Sequence, residues 1–304
     1  MATWCAIGAI INYWDKNGLI APPIDLANGV SLVAMPNWAR SDAALDVLSW
    51  NKKTRVQENC RFALYVEYEA TALGTPDPDW RGPEPRPIQD HAGELLTLAN
   101  LALWLARPAR IPVEVVLHFD RPGDGTSIRE SSAFDGLLPH VRDLEAQFTS
   151  DDLSLAMKLN ESLVALTRGA TTWTATRLLW KALQERMWEA RFLLEWIALE
   201  ALFGSSNPQE TTFRLSQRVA FFLADSRERA RELFNIAKTG YGWRSKTVHG
   251  LRLSKLSQDD SAEISHQAEC LLRETFCRVL TDPELVAQFD GNSREDFLDS
   301  LIFS

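Results

Sequence analysis

Nothing in the chain approaches the roughly 20 consecutive apolar residues that a membrane span needs, because each long apolar stretch is interrupted by Arg, Lys or Glu. The apolar run from Trp4 to Trp14 is short, has no basic lead and is closed by Asp15 and Lys16, so a signal peptide is not expected. Cysteine is scarce. Cys5, Cys60, Cys270 and Cys277 show no CxxC spacing and no neighbouring histidine pair, which leaves a zinc site without support and predicts reduced, partly buried thiols. No phosphate-binding glycine loop, nucleophile elbow or kinase signature occurs. His91, His118 and His140 lack metal-ligand spacing, and no carboxylate cluster points to a metal-dependent nuclease. The expectation is a cytoplasmic protein with no metal, no cofactor and no membrane contact.

Charge is uneven. The 41 acidic residues exceed the 32 basic ones, giving a formal net charge of −9, which argues against a protein that coats nucleic acid indiscriminately, since phosphate neutralisation needs clustered Lys and Arg. Between Phe213 and Leu256, however, ten Lys or Arg stand against three Asp or Glu. A basic segment thus sits inside an acidic chain.

Across 304 residues with 45% apolar content, two domains fit better than one. Residues 1–150 have a mixed texture, with β-like runs at Gly29 to Met35, Arg61 to Tyr68 and Ile111 to Phe119. A helix is predicted from about Asp90 to Leu105, and Gly74 to Pro87, with five prolines, reads as an exposed loop. Asp120 to Gly125 reads as a turn after a strand. Residues 151–304 are poorer in breakers and follow helical periodicity. Asp151 and Asp152 can open one helix, and Trp173 to Phe203 reads as a single long one. Pro208 suits the first turn of the next, whose apolar side is Phe213, Val219, Phe222 and Leu223. A helix from Ser226 to about Gly240, a short one from about Trp243 and a long one from Ser261 to Leu280 complete the pattern. The fold class expected is α+β overall: a mixed α/β N-terminal domain followed by an all-α helical bundle.

The segment that can carry chemistry is Tyr241-Gly-Trp-Arg-Ser-Lys-Thr-Val-His-Gly250. Arg244 and His249 are five apart, about 140° of helix rotation, a gap that the long arginine fork can bridge. Ser245 lies one turn before His249 and can orient its ring or touch a ligand. A histidine titrating near neutrality can accept a proton from a ribose 2′-hydroxyl or give one to a leaving 5′-oxygen, while arginine holds the charge of a pentavalent phosphorus. One histidine supplies one proton-transfer group, so two chains about a two-fold axis would complete an acid–base pair.

Three elements in order, Phe192-Leu-Leu-Glu-Trp-Ile-Ala-Leu-Glu-Ala-Leu-Phe203, Phe213-Arg-Leu-Ser-Gln-Arg-Val-Ala-Phe-Phe-Leu223 and Tyr241 to Gly250, resemble the ApeA-like branch of the HEPN superfamily. The resemblance covers Asp151 onward and does not reach the first half. It implies a bundle of four or five helices, homodimerisation and, in many members, metal-independent RNase activity in phage defence (abortive infection) or toxin–antitoxin systems, with an antitoxin or other regulatory protein as restraint. Arg244 and His249 match the family's Arg-x4-His pair, and Ser245 fills the variable polar place after the arginine. Other members are non-catalytic modules that bind nucleotides or protein partners.

Each residue also has a plainer reading. His249 could be a buried structural histidine, and Arg244 could pair with Glu200 or Glu195 and fix the helix register. Glu200, set in an apolar face, reads as a partner for an arginine, because lone buried carboxylates are costly. Arg214 and Arg218 share a helical face that either contacts an RNA backbone or is merely solvated, and Lys246 is similar. Tyr241 opens the motif as a supporting residue. The tryptophans at 173, 180, 188 and 196 would line one stripe, as core or dimer interface.

Overall fold

The computed structural model describes residues 3–11, 21–69, 73–76, 88–109, 111–133, 137, 147–205, 211–248 and 256–303. The first apolar run of the chain is a strand, β1 (Thr3–Ile11), followed by β2 (Ile24–Asp25), β3 (Val30–Ala34) and β4 (Cys60–Glu69). After β5 (Leu73–Pro76) and β6 (Ile88–Asp90) come β7 (Val113–Phe119) and β8 (Ile128–Ala133). Six strands form an antiparallel sheet of order β2-β3-β4-β1-β7-β8. β1 is central and wholly apolar beyond Trp4, as a strand covered on both faces must be. Cys5, Ile7, Ala9 and Ile11 face a cluster containing Met35, Leu45, Val56 and Phe119, which the short helices α1 (Asp42–Leu45) and α2 (Trp50–Asn59) cover. Gly8, on the other face, approaches Leu96 of α3 (His91–Ala106).

Helix α3 is buried at 13 of its 16 positions, as expected of a helix that is apolar all round. The sheet lies against one side of it and α4 (Ser150–Ala165) against the other. Thr149 and Asp152 cap α4 reciprocally, each side chain accepting the other's backbone N–H at 3.2 and 2.8 Å. Asn160 then donates to Leu26 O (2.8 Å) and Asn28 donates to Asn160 O (3.1 Å), tying α4 to the left-handed turn at Ala27, Asn28 and Gly29. The described residues up to Ala165 therefore form one compact unit and those from Leu166 another. The change of sequence texture at residue 150 marks the start of α4, while the division comes one helix later.

The strands expected at 29–35, 61–68 and 111–119 correspond to β3, β4 and β7, and the helix expected at 90–105 to α3. Asp120 to Gly125 connects β7 to β8, with Asp124 accepting from Thr126 N at 2.9 Å. Of the proline-rich segment 74–87, residues 77–87 lie outside the described residues, while Leu73–Pro76 pairs with Ile88–Asp90. The fold is α+β, an antiparallel sheet unit followed by helices.

The second unit is helical: α5 (Thr171–Gln184), α6 (Trp188–Phe203), α7 (Thr211–Leu223), α8 (Arg227–Val248), α9 (Gln258–Leu280), α10 (Pro283–Asp290) and α11 (Arg294–Phe303). The long helix expected from Trp173 to Phe203 is instead two, packed as a hairpin. Glu185 adopts extended backbone, its carboxylate accepts from Met187 N (2.9 Å), and its carbonyl accepts from Arg191 Nε and Nη2 (3.1 and 2.7 Å). The four tryptophans consequently share no stripe: Trp173 and Trp196 are core residues of different helices, and Trp180 and Trp188 are half-buried. Pro208 falls outside the described residues. Of the apolar residues assigned to α7, Val219 and Phe222 are buried, whereas Phe213 is 46% exposed.

Candidate functional site

A single helix carries the motif as far as Val248. α8 starts after Ser226, whose hydroxyl accepts from Arg229 N (3.2 Å), and runs through Gly240 and Gly242 without a break to Val248. The two shorter helices expected on either side of Gly240 are thus one. Glycine is needed there for proximity: a Cβ on Gly240 would lie 2.4 Å from Cζ2 of Trp196 on α6. One turn beyond Trp196 stands Glu200, and Tyr241 and Arg244 follow Gly240 on the same side of α8, so i, i+4 spacing on α6 meets i, i+3 spacing on α8.

The three polar groups close on one another. Glu200 Oε1 accepts from the Tyr241 hydroxyl at 2.5 Å and Oε2 from Arg244 Nη2 at 2.9 Å. The guanidinium also lies over the Tyr241 ring, 5.5 Å from its centroid, and that ring meets the Trp196 indole edge-on at 5.7 Å. Burial, and then the neighbouring Glu200 carboxylate, push the Tyr241 hydroxyl up to about 12, so it stays a donor. The Arg244 and Glu200 side chains keep 22% and 23% exposure. A charge-assisted pair of this partly screened kind contributes on the order of 1–2 kcal/mol and, more importantly, sets the direction of the guanidinium.

The remaining sequence-derived candidates separate. Ser245 is half-buried on α8, and Lys246 is exposed with its ammonium 3.9 Å from the centroid of the Trp243 ring. His249 lies outside the described residues. Arg214 is half-buried, but Arg218, grouped with it as a phosphate contact, is wholly buried. It donates to Phe203 O (3.1 Å), Glu295 (2.7 Å) and Asp299 (2.7 Å), linking the end of α6 to α11. Arg294 caps the same helix end through Ala201 O, Leu202 O and Gly204 O, at 2.6 to 3.3 Å.

Glu195, the other partner foreseen for Arg244, faces the α6–α9 core instead. It is wholly buried, and neither carboxylate oxygen has a hydrogen bond among the described residues. Burial chiefly, together with repulsion from Glu269, raises its proton affinity well above that of an ordinary carboxyl, against the opposing pull of Arg191. Arg191 and Glu269 themselves approach to 3.7 Å. This buried trio and the Arg294 cap were not foreseen; only the presence of acids and arginines at apolar-periodic positions could have signalled them.

Cys5 and Cys60 are buried, with thiols raised to about 12 by desolvation, which makes them poor nucleophiles. His118 is buried on β7 beside Tyr68, whose hydroxyl lies 2.9 Å from Nδ1. Among the described residues no cluster of His, Cys, Asp or Glu could hold a metal ion, and no helix is long and apolar enough to cross a membrane. Compared with protein-family models, curated proteins and solved structures, the chain matches none.

Proposed function

We propose that this chain is a HEPN-type, ApeA-like endoribonuclease that cleaves RNA without a metal ion, with Arg244 on the scissile phosphate and His249 in proton transfer. The observation that carries the reading is the anchoring of Arg244. Its Nη2 is held by Glu200, which is itself held by Tyr241, on the rim of a helical unit where the guanidinium keeps contact with solvent. A pre-oriented arginine loses little freedom on meeting a phosphate and can complement the charge of a pentavalent transition state. His249, five residues on, takes the proton of the 2′-hydroxyl, and a second copy about a two-fold axis supplies the acid for the 5′-oxygen. The homodimer acts in phage defence or toxin-type growth arrest, with the sheet unit or an antitoxin as restraint.

One observation favours a second reading. Both carboxylate oxygens of Glu200 are taken up within the chain, by Tyr241 and Arg244, as in a non-catalytic helical module for a nucleotide or protein partner. Arg244→Ala separates the two. The nuclease reading expects RNA cleavage to fall by about 100-fold or more while the protein stays folded, its melting temperature lower by only several degrees. Cleavage that simply follows the loss of folded protein would assign Arg244 to packing.

A further inference from the structure

The basic segment of the sequence forms two walls of one groove. Helices α7 and α8, with Ile302 of α11, line an open cavity of about 720 Å³. Phe213 and Phe221, two turns apart on α7, are 46% and 43% exposed in it, and Phe234 of α8 packs edge-on against Phe213 at 5.5 Å. Arg227 and Arg231, one turn apart on α8, line the same cavity. Both arginines are exposed, and neither is ion-paired among the described residues. Lys238 extends the positive stripe, its ammonium 5.7 Å from the Phe234 ring. No Asp or Glu lines the cavity among the described residues. The acids of α8, Glu228 and Glu232, lie about 100–140° from Arg227 and about 60–100° from Arg231 around the helix; neither lines the cavity, and Glu232 is occupied by Arg229 at 2.9 Å.

We propose that this groove is a track for single-stranded RNA, in which unstacked bases lie on Phe213 and Phe221 while phosphates meet Arg227 and Arg231. Rings and cations interleaved along a groove are the arrangement that binds single strands, because every base has a face to stack and every nucleotide a charge to neutralise. The two exposed rings are about 12 Å apart along α7, which leaves each free to take a separate base. A protein helix would suit the apolar floor, but two arginines without an ion pair among the described residues, in a cavity that no described acid lines and in a chain of net charge −9, favour a polyanion. A duplex keeps its bases stacked and offers the rings nothing. The proposal rests on RNA being the substrate, and it places the gripping of the strand apart from Arg244.

The test is fluorescence anisotropy of the full chain with a labelled 12-nucleotide single-stranded RNA in EDTA, alongside the same strand annealed to its complement. Wild type should prefer the single strand. Phe213→Ala and Phe221→Ala should each weaken binding about tenfold. Arg227→Gln with Arg231→Gln, both at exposed positions, should lower the slope of log affinity against log salt by about 1.4 in protein that stays folded. If wild type binds and cleaves RNA while folded variants bind equally well, the track is refuted, the RNA reading survives, and the groove is left to a protein helix. If wild type neither binds nor cleaves RNA, both readings fall together.

Discussion

Gly240 on α8 and Trp196 on α6 meet so closely that a methyl group on Gly240 would sit 2.4 Å from Cζ2 of the indole. Trp196 is only 1% exposed and is flanked by Phe192 and Tyr241, so it has nowhere to retreat. Gly240→Ala would gain about 1 kcal/mol of helix propensity and lose more through overpacking, of order 1–3 kcal/mol. The expected net result is a lower melting temperature, and with it a Tyr241–Glu200–Arg244 group pushed out of register. A variant as stable as wild type would show that α8 can shift freely along α6.

Arg218 is predicted to matter for stability and not for RNA. Replacing it by Met removes the donor that Phe203 O, Glu295 and Asp299 share. The cost should be roughly 2–4 kcal/mol in urea unfolding, with RNA affinity unaltered in protein that remains folded.

Glu195 should make the helical unit less stable as pH rises. Its folded-state proton affinity is raised above the ordinary 4.5, so the folded form holds a proton that the unfolded form has already released. The contribution is complete below pH 4.5 and is lost as pH climbs through the folded value. Glu269 and Arg191 are the charged groups that bear on it, and Glu195→Gln removes the ionisation while keeping the shape. Melting curves of both proteins from pH 4.5 to 8 should coincide at the acid end and diverge upward, with Glu195→Gln the more stable at neutrality. Parallel curves would mean that Glu195 is ionised in the fold.

What could be read from the residues was whatever depends on periodicity within one element. β3, β4, β7 and α3 announce themselves through alternation or apolar repeats. β1 hides its identity, because a strand covered on both faces does not alternate, and α4 reads as helix without revealing that Asn160 binds it to the sheet unit. The split between α5 and α6 at Glu185 escapes notice because no proline or glycine marks it; an arginine six residues later takes the carbonyl. Gly240 would be read as a helix end unless its partner Trp196 is known. For the candidate site, the pairing of Arg244 with Glu200 was legible as one of two options, since a glutamate in an apolar face calls for a cation. That Arg218 turns inward could not be told from Arg214 by spacing alone, because it depends on where α11 lies.

The most direct measurement of the central claim is cleavage of a mixed RNA pool in EDTA by wild type and by His249→Ala, with mass analysis of the product ends. The account predicts fragments with 2′,3′-cyclic phosphate ends from wild type, which is the product of 2′-hydroxyl attack, and their loss from folded His249→Ala. Equal cleavage by both proteins, or fragments lacking the cyclic phosphate, would contradict it.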